Sequence, residues 1–374
     1  MIDEKTYRQN PLRIMISGGG TGGHIYPAIA IANALNDIQK DIKFLFVGAN
    51  GRMEMEKVPE AGYDIVGLWI SGLQRKLTLG NLSFPFKVIS SIWKSFSLLK
   101  KFRPDVVIGV GGYASGPLLY AANKKGIPTL IQEQNSYPGI TNKLLAGKAN
   151  KICVAYPGME RFFQKEKLVE TGNPVRTDIM NSDNVRLEGL SQFGFRSDKK
   201  TVLILGGSLG ARTINNTLAE GVERLIDEDV QVLWQSGKFY FDEMKERTAH
   251  IDSEKLRIVP FIKDMDRAYG AADVVISRAG ALSISELCLV GKPVLFVPSP
   301  NVAEDHQTKN AMALVSREAA EMIRDDEAGE HLITETLKLL KNEEQQKIIR
   351  ANIKELAKPN AAKDIAHEIF TMIK

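Results

Sequence analysis

Short apolar runs rich in β-branched residues alternate with longer amphipathic stretches along the first half of the chain. Runs at residues 13–16 and 42–47 have the length and composition of buried strands. Stretches at residues 27–36 and 117–125 have the spacing of apolar positions that is typical of helices. This alternation predicts a parallel, doubly wound sheet built from βαβ units. The remaining candidates are strands at 65–68, 106–110, 129–132, 152–154 and 169–171 and helices at 87–102 and 141–149.

The alternation stops between about residues 174 and 200, where Gly, Asn, Ser, Asp and Arg dominate. It resumes with strand candidates at 202–205, 230–234, 257–259, 274–276 and 294–297, which predict a second Rossmann-like sheet. From residue 328 onward the pattern is helical, with an interruption at Pro359. We therefore expect an α/β protein with domains at residues 1–173 and 174–357, and a terminal helix at 358–374 that could return to the first domain.

Composition narrows the class of protein. The 374 residues are 44% hydrophobic and 25% charged, which is enough apolar material for two cores. One cysteine lies in each half and the five histidines are scattered, so we expect no disulfide framework and no metal site built from His and Cys. The first eight residues carry acids and lack an apolar core, which argues against a signal peptide. The longest uncharged run, residues 106–123, is broken by four glycines and Pro117, which argues against a membrane span. We expect the protein to stay inside the cell.

Two glycine-rich segments follow the first predicted strand of each half. Residues 18–24 read Gly-Gly-Gly-Thr-Gly-Gly-His, and residues 206–212 read Gly-Gly-Ser-Leu-Gly-Ala-Arg. Glycine lets successive backbone N–H groups converge on an anion, and the helix that follows adds the positive end of its dipole. Each half is therefore predicted to bind one phosphorylated group.

Two other nucleotide-binding motifs fit less well. Gly18, Gly20 and Gly23 satisfy the G-x-G-x-x-G pattern of dinucleotide-binding domains. Those domains need an Asp or Glu about 20 residues further on, but the next strand here runs into the sequence Gly-Ala-Asn at 48–50. A P-loop is also disfavoured, because no Gly-Lys pair is followed by Ser or Thr.

The net charge of +4 is modest, but residues 65–104 contain seven Lys or Arg and no Asp or Glu. The simplest interpretation is a loop followed by a core-packed helix with a solvated basic face. The missing acids and the aromatic segment at 77–86 also fit docking on an anionic bilayer surface. Nucleic acid is disfavoured, because no recognition module accompanies this window. The candidate membrane patch comprises Leu73, Leu77, Phe84, Trp93 and Lys94.

Seven segments taken together resemble one family closely: 18–24, 111–117, 133–135, 171–176, 206–212, 277–286 and 306–310. They are similar to the MurG transferases, members of glycosyltransferase family 28, which move N-acetylglucosamine from UDP-GlcNAc to lipid I and so make lipid II. The resemblance implies a GT-B fold of two Rossmann-like domains facing a cleft, inversion at the anomeric carbon, and neither a metal nor any other cofactor. It also implies work at the cytoplasmic face of the bacterial membrane, on the polyprenyl-linked acceptor.

Three alternatives remain at this point. Another GT-B enzyme that uses a UDP-sugar, such as a glycolipid synthase or a UDP-GlcNAc 2-epimerase, would share much of the pattern. An epimerase would not need the basic, aromatic window. A catalytically silent sensor of nucleotide sugars would bind UDP-GlcNAc without turnover. The oligomeric state stays open.

The resemblance implies a donor site made mainly by the second half. Glu286 would hydrogen-bond the ribose hydroxyls, the main chain of Ile262 would pair with uracil, and Gln307 would bind the sugar. By its own sequence context, Glu286 is also an ordinary helix residue, and Asn135 equally fits a cap or a turn. The full implied donor set is Thr21, Gly22, Gly23, Asn135, Arg176, Ser208, Ile262, Ala281, Leu282, Ser283, Ile284, Ser285, Glu286 and Gln307.

The acceptor pyrophosphate is expected in the first half, in loops that carry no Asp or Glu. His24 is the first candidate for the general base that the attacking hydroxyl needs, because its ordinary pKa lies near neutrality. His24 could instead anchor the loop, and Glu133 is the second candidate. Gln132 stands where many relatives have His. The implied acceptor residues are Gly20, Thr21, Gly111, Gly112, Tyr113, Ala114 and Ser115.

Overall fold

The computed structural model divides into two compact units. The first unit runs to Val175 and includes the segment from Pro359 onward, and the second unit ends at Lys358. The described residues are 11–72, 83–175, 179, 182, 185–207, 210–251, 254–302 and 305–373.

Within these residues the first unit has a seven-stranded, wholly parallel sheet in the order β3-β2-β1-β4-β5-β6-β7. Leu12 pairs with Ile42, and Ile14 pairs with Val106. The strands are β1 (Leu12–Ser17), β2 (Ile42–Ala49), β3 (Ile65–Leu68), β4 (Val106–Gly109), β5 (Thr129–Glu133), β6 (Lys151–Val154) and β7 (Leu168–Glu170). The helices are α1 (Gly22–Ile38), α2 (Glu54–Glu60), α3 (Phe84–Phe102), α4 (Ser115–Lys124), α5 (Ile140–Ala146) and, from the chain end, α14 (Ala361–Met372), with 3-10 turns at Met159–Arg161 and Lys165–Lys167.

The second unit repeats this plan with six parallel strands in the described ranges, in the order β10-β9-β8-β11-β12-β13. The strands are β8 (Thr201–Leu205), β9 (Gln231–Gln235), β10 (Leu256–Val259), β11 (Val274–Ser277), β12 (Val294–Phe296) and β13 (Glu321–Met322). The helices are α6 (Arg186–Phe193), α7 (Arg212–Asp227), α8 (Phe241–Arg247), α9 (Met265–Ala271), α10 (Ala281–Val290), α11 (His306–Val315), α12 (Ala328–Lys341) and α13 (Glu343–Glu355).

Apolar residues cover both faces of each sheet, as a parallel sheet requires. In β1, Ile14 and Ile16 lie in one core cluster while Met15 lies in the cluster on the other face. Helix α14 packs on α1 and contributes Ile365 and Ile369 to the first of these clusters. The last helix of the chain therefore completes the core of the first unit. In the second unit the indole of Trp234 is wholly buried and donates to Asn215 of α7.

Strand order reverses between β1 and β4 in the first sheet and between β8 and β11 in the second. In open α/β sheets, ligands bind at this switch point, beyond the carboxyl ends of the strands. Both predicted glycine loops lie at these points, since one follows β1 and the other follows β8.

Two local predictions differ from the structure. Helix α1 begins at Gly22, so Pro27 lies inside the helix and does not open it. A proline at this place has no N–H to donate to the carbonyl of Gly23, so the helix lacks that one bond. The two-residue strand β13 was not predicted, because it is too short to show an alternating pattern.

Candidate functional site

In the first unit, the loops after β1 and β4 contact each other. A Cβ on Gly112, which has φ +86°, would lie 2.4 Å from the carbonyl oxygen of Gly19. Only glycine allows this approach and this backbone angle. The structure therefore brings together the two loops that were predicted to bind the acceptor pyrophosphate.

The hydroxyl of Ser115 does not face a ligand in this arrangement. It is wholly buried and lies 2.8 Å from the carbonyl oxygens of both Ser17 and Gly111. Its one proton is shared by these acceptors, so the side chain holds the loop to β1, and the role of Ser115 in the acceptor site stays a prediction. The N–H groups at the start of α4 remain as candidate anion donors. Tyr113 is half exposed, and its ring fills the space above Gly72.

His24 is the third residue of α1 and is partly exposed. Its Nδ1 lies 3.0 Å from the carbonyl oxygen of Gly19 and 3.4 Å from the hydroxyl of Thr21. The ring packs on Gly111, where a Cβ would lie 2.7 Å from the ring carbon Cδ2. The predicted base therefore lies where the two loops meet.

Glu54 is a charged residue of this site that the sequence analysis missed. It is wholly buried beneath the loop that follows β1. Its carboxylate accepts hydrogen bonds from the N–H of Gly20 and the N–H of Ala49, each at 2.9 Å. A Cβ on Gly19 would lie 2.2 Å from one of its oxygens.

The two loops carry no acid themselves, as expected, but Glu54 from α2 lies beneath the first of them. The N–H of Gly20 points to a carboxylate, so this N–H is already engaged, and the place of Gly20 in the acceptor site stays a prediction. Gly19 is needed because Glu54 leaves no room for a side chain. A search for acids that extended a few residues beyond β2 would have found Glu54 as a candidate.

Glu133, the second candidate base, is buried at the end of β5. One carboxylate oxygen accepts from the backbone and side-chain nitrogens of Asn135, at 3.0 and 3.3 Å. The other oxygen accepts from the N–H of Gly139 at 3.1 Å and from the amide of Asn142 at 2.8 Å. Four donors fix this carboxylate as the anchor of the loop at 134–139. This environment favours His24 over Glu133 as the base.

Gln132 and Asn173 form part of a buried amide network next to this anchor. The amide of Gln132 donates to Asn173 at 3.0 Å, and Asn173 donates to the carbonyl of Gln134 at 3.1 Å. Gln134 in turn donates to the carbonyl of Val110 at 2.7 Å, in the loop after β4. The network joins the ends of β4 and β5 and thereby supports the candidate site.

In the second unit, the loop after β8 packs against backbone of the next strand. The N–H of Gly206 donates to the carbonyl of Gln235 at 3.3 Å. Gly210 has φ +86°, and a Cβ there would lie 2.3 Å from the carbonyl oxygen of Ser236. Helix α7 begins at Arg212, so its N-terminus follows the loop directly. Ser208 and Arg176, both predicted donor ligands, lie outside the described residues.

Helix α10 presents the predicted ribose-binding and sugar-binding residues. It begins at Ala281 after an extended Gly280, so the first-turn N–H groups belong to Ala281, Leu282 and Ser283. Glu286 is partly buried and accepts a hydrogen bond from the hydroxyl of the buried Tyr269 at 3.1 Å. Ile284 is buried and supports the helix, and the hydroxyl of Ser285 donates to the carbonyl of Ala281.

Two predicted ligands are already held by neighbouring groups. The N–H of Ile262 donates to the side chain of Gln235 at 2.9 Å. Uracil could therefore hydrogen-bond to the carbonyl of Ile262 directly. The N–H of Ile262 would become available to uracil only after Gln235 moves. The side-chain oxygen of Gln307 accepts from the N–H of Ser299 at 2.8 Å, so its NH₂ is the end suited to a sugar hydroxyl.

Arg278, directly after β11, organises the switch point of the second sheet. Its guanidinium donates to the carbonyl of Val297 at 2.9 Å and pairs with Asp325. Asp325 also accepts from the hydroxyl of Thr213 in the first turn of α7 at 2.8 Å. These contacts connect the ends of three elements around the candidate site. The sequence analysis did not single out Asp325 or Thr213.

Helix α3 is amphipathic in an unusual sense. Its buried side is made by Ser91, Ser95 and Leu99, and the hydroxyl of Ser91 donates to the carbonyl of Trp69 at 3.0 Å. Phe86, Ile89 and Trp93 are instead exposed, at 68%, 55% and 74%. Leu99 lies in a core cluster with Phe96 and Phe102 packed against it, and Lys100 and Lys101 are exposed. The helix therefore packs on the core with a basic face in solvent, as expected, and in addition exposes apolar residues.

We call Trp69, Phe86, Ile89 and Trp93 the aromatic patch. Phe84 is partly buried, and the ammonium of Lys94 donates to the carbonyl of Gly67 at 2.7 Å. Lys94 therefore also ties α3 to β3. Leu73 and Leu77, which were predicted for the patch, lie outside the described residues. No helix in the described ranges is long and apolar enough to cross a bilayer.

Two parallel, doubly wound sheets, each with a glycine loop at its switch point, are the architecture of GT-B proteins, a two-domain class of α/β fold. The models of the glycosyltransferase family 28 N-terminal domain and C-terminal domain match residues 14–154 and 201–369. The chain therefore belongs to glycosyltransferase family 28.

Curated relatives are similar over nearly the whole chain. A protein of Cytophaga hutchinsonii is 55% identical over 365 residues, which span 98% of each chain. A protein of Christiangramia forsetii is 56% identical over 362 residues, which span 97% of this chain and 98% of the relative. Both are named UDP-N-acetylglucosamine–N-acetylmuramyl-(pentapeptide) pyrophosphoryl-undecaprenol N-acetylglucosamine transferase.

Solved structures are similar in fold. The crystal structure of Acinetobacter baumannii MurG is 29% identical, with a TM-score of 0.76, and the match covers 96% of this chain and all of that one. A UDP-GlcNAc 2-epimerase from Neisseria meningitidis, solved with UDP-GlcNAc, is 14% identical with a TM-score of 0.68, and covers 96% of this chain and 100% of that one. At that identity the second likeness concerns the fold alone.

Proposed function

We propose that this protein transfers N-acetylglucosamine from UDP-GlcNAc to the muramic acid hydroxyl of lipid I, giving lipid II and UDP with inversion at the anomeric carbon. The observation that carries the proposal is the identity of 55% over 98% of the chain to a relative with that printed name. The fold by itself fits epimerases as well, so it cannot choose between these reactions.

We assign UDP-GlcNAc to the second unit. Glu286 would accept hydrogen bonds from the ribose hydroxyls, with Tyr269 orienting its carboxylate. The diphosphate would lie at the loop after β8 and the N-terminus of α7, where oriented N–H groups meet the charge that develops as UDP departs. The NH₂ of Gln307 and the N-terminus of α10 would bind the sugar.

We assign the acceptor pyrophosphate to the first unit, at the N-termini of α1 and α4. Gly22 and Gly23 in the first turn of α1, with the hydroxyl of Thr21, would supply donors. Because the N–H of Gly20 is engaged by Glu54, we leave that group out of the pyrophosphate site. His24 would accept the proton of the attacking hydroxyl.

We further propose that the aromatic patch docks the first unit on an anionic membrane surface, at the cytoplasmic face of the cell membrane. Trp93 and Phe86 are the most exposed members, and Lys87 lies 6.0 Å from the ring centre of Trp69. Exposed aromatic rings beside cations are favoured at the boundary between lipid and water. This position would bring the enzyme to a lipid-linked acceptor.

The proposal is tested by transfer of labelled N-acetylglucosamine from UDP-GlcNAc to a soluble lipid I analogue, with UDP-glucose and UDP-GalNAc as competitors. We expect a disaccharide product with a β linkage and UDP release in equal amounts. The same preparation incubated without acceptor distinguishes the alternative, because an epimerase would convert UDP-GlcNAc alone. Conversion without acceptor, or donor binding with no transfer, would overturn the proposal.

A further inference from the structure

The buried carboxylate of Glu54 and the ring of His24 bind opposite sides of one peptide group. Glu54 accepts from the N–H of Gly20 at 2.9 Å, and His24 Nδ1 lies 3.0 Å from the carbonyl oxygen of Gly19. The N–H of Gly20 and the carbonyl of Gly19 belong to the same peptide. Carboxylate, peptide and imidazole therefore form one continuous chain of hydrogen bonds.

The geometry determines which nitrogen of His24 carries the proton. A carbonyl oxygen can only accept, so Nδ1 must be the donor of the bond to Gly19. In the neutral ring, Nε2 is then the nitrogen that can accept a proton. In the opposite tautomer, the lone pair of Nδ1 would face a lone pair of the Gly19 carbonyl oxygen, with the two atoms 3.0 Å apart.

Glu54 strengthens this bond through the peptide. A carboxylate that accepts from a peptide N–H polarises that peptide, so its carbonyl becomes a better acceptor. The low dielectric around a wholly buried carboxylate increases this effect. A second bond, from the N–H of Ala49 at 2.9 Å, fixes the carboxylate so that it cannot turn away.

The position of His24 in the fold brings its ring close to the groups that Glu54 holds. The residue lies in the first turn of α1, and the carboxylate of Glu54 lies on the far side of the peptide that its ring contacts. The glycines also serve this arrangement, because a Cβ on Gly19 would lie 2.2 Å from Glu54 and a Cβ on Gly111 would lie 2.9 Å from His24 Nε2.

We infer that Glu54 is a positioning residue that holds His24 in the Nδ1–H tautomer through the Gly19–Gly20 peptide, so that Nε2 accepts the proton of the acceptor hydroxyl. This inference rests on the proposed function for its catalytic consequence. In the step, the hydroxyl proton moves to Nε2 and the oxygen bonds to the anomeric carbon. The bond between that carbon and the β-phosphate oxygen breaks, and its electron pair leaves with UDP.

The first test measures the tautomer of His24 in the wild-type protein. Long-range proton–nitrogen correlation spectra of protein labelled with ¹⁵N-histidine distinguish Nδ1–H from Nε2–H rings, and a His24→Asn variant assigns the signal. We expect Nδ1–H for the neutral ring. An Nε2–H ring in the wild type would overturn the inference, whatever any variant does.

The second test uses Glu54→Gln, which has nearly the same volume but only one acceptor oxygen. It cannot accept from both Gly20 and Ala49, so we expect a mixture of tautomers. We expect kcat to fall about 10- to 100-fold, which is less than the ~10²–10⁴-fold that the base itself contributes because the base is still present, with the KM for UDP-GlcNAc unchanged. Glu54→Asp keeps the charge and should recover part of kcat. Glu56→Gln, on the same helix but 69% exposed, is the matched control and should change neither quantity.

The outcomes separate this inference from the proposed function. A lower kcat with the wild-type tautomer retained would make Glu54 merely structural and would overturn the inference. Thermal melting identifies a variant that fails to fold. In that case the inference is judged by the tautomer of His24 measured in the wild-type protein. If the wild type shows the Nδ1–H ring and Glu54→Gln disturbs it, but no transfer occurs, the positioning stands and the proposed function fails.

Discussion

The two glycine loops occupy equivalent places in the two sheets, but different groups lie against them. Beneath the loop after β1, the carboxylate of Glu54 fills the space where Gly19 would carry a side chain. Behind the loop after β8, the main-chain oxygen of Ser236 fills the space next to Gly210. One loop is fixed by a buried charge and the other by neighbouring backbone.

This difference shows that similar glycine patterns can have different physical causes. Glycines in such loops are usually explained by the close approach of a phosphate. In the first unit, part of the requirement comes from an acid that lies 34 residues beyond Gly20 along the chain. We therefore expect the two units to respond differently to matched substitutions.

The largest effect is expected at the aromatic patch of the first unit. Replacing Phe86 and Trp93 by Glu should weaken binding to vesicles with anionic lipid by about 100-fold or more, since each buried aromatic contributes roughly 1.5–3 kcal/mol. Ile38→Glu with Leu187→Glu is the control, because it changes two exposed apolar residues outside the patch by the same charge. Vesicle sedimentation measures both. An equal loss of vesicle binding in the two variants would contradict the role of the aromatic patch in docking.

A smaller effect is expected at the donor residue of the second unit. Glu286→Ala should weaken UDP binding by about 10- to 100-fold, because hydrogen bonds to a charged group are worth roughly 1.5–3 kcal/mol. Tyr269→Phe keeps the carboxylate and loses only the 3.1 Å bond that orients it, so its effect should be smaller. Calorimetric titration with UDP compares the two. A stronger effect of Tyr269→Phe would contradict the assignment of Glu286.

Next in size is the stability difference between the glycine loops. Gly19→Ala should lower the free energy of unfolding by about 1–3 kcal/mol, because the new methyl group overpacks against Glu54. In Gly207→Ala the new methyl group meets open space, so only the φ of +80° is unfavourable. This should lower the free energy of unfolding by about 1 kcal/mol. Gly23→Ala, in ordinary contact with Thr21, is the control and should have little effect. Urea unfolding followed by circular dichroism ranks the three variants, and a harmless Gly19→Ala would refute the packing argument.

The smallest effect is expected in the rates at which the cysteine thiols of the two units react. Burial raises the pKa of Cys153 in the first unit and of Cys288 in the second to about 12, so both should react slowly with a thiol reagent at pH 8. UDP at about ten times its Kd should slow the labelling of Cys288 about tenfold and leave Cys153 unchanged, because ligand stabilises only the unit that binds it. Mass spectrometry of the labelled peptides measures both rates. Equal protection of Cys153 would contradict the division of ligands between the units.

The order of strands and helices could be predicted well from the sequence, because buried parallel strands leave long apolar runs. The strand at 65–68 agrees residue for residue, and the others differ by one or two residues at their ends. Helix starts were harder. Helix α1 begins five residues before Pro27, and its first three residues are two glycines and a histidine, which carry no apolar period.

The candidate site was only partly predictable. The loops could be located because glycine runs after strands are a local signal. The orientation of Ser115, the anchoring of Glu133 and the approach of Glu54 depend on which elements pack together, and no local pattern records that. The exposure of Trp93 is a similar case, because periodicity alone cannot show which side of α3 faces the sheet.

The central claim is that the nucleotide binds the second unit while the first unit serves the acceptor. A crystal soaked with UDP-GlcNAc tests it most directly. We expect the uracil beside Ile262 and the ribose on Glu286, with the diphosphate at the start of α7. Uridine bound instead at the loop of residues 18–24 in the first unit would contradict the account.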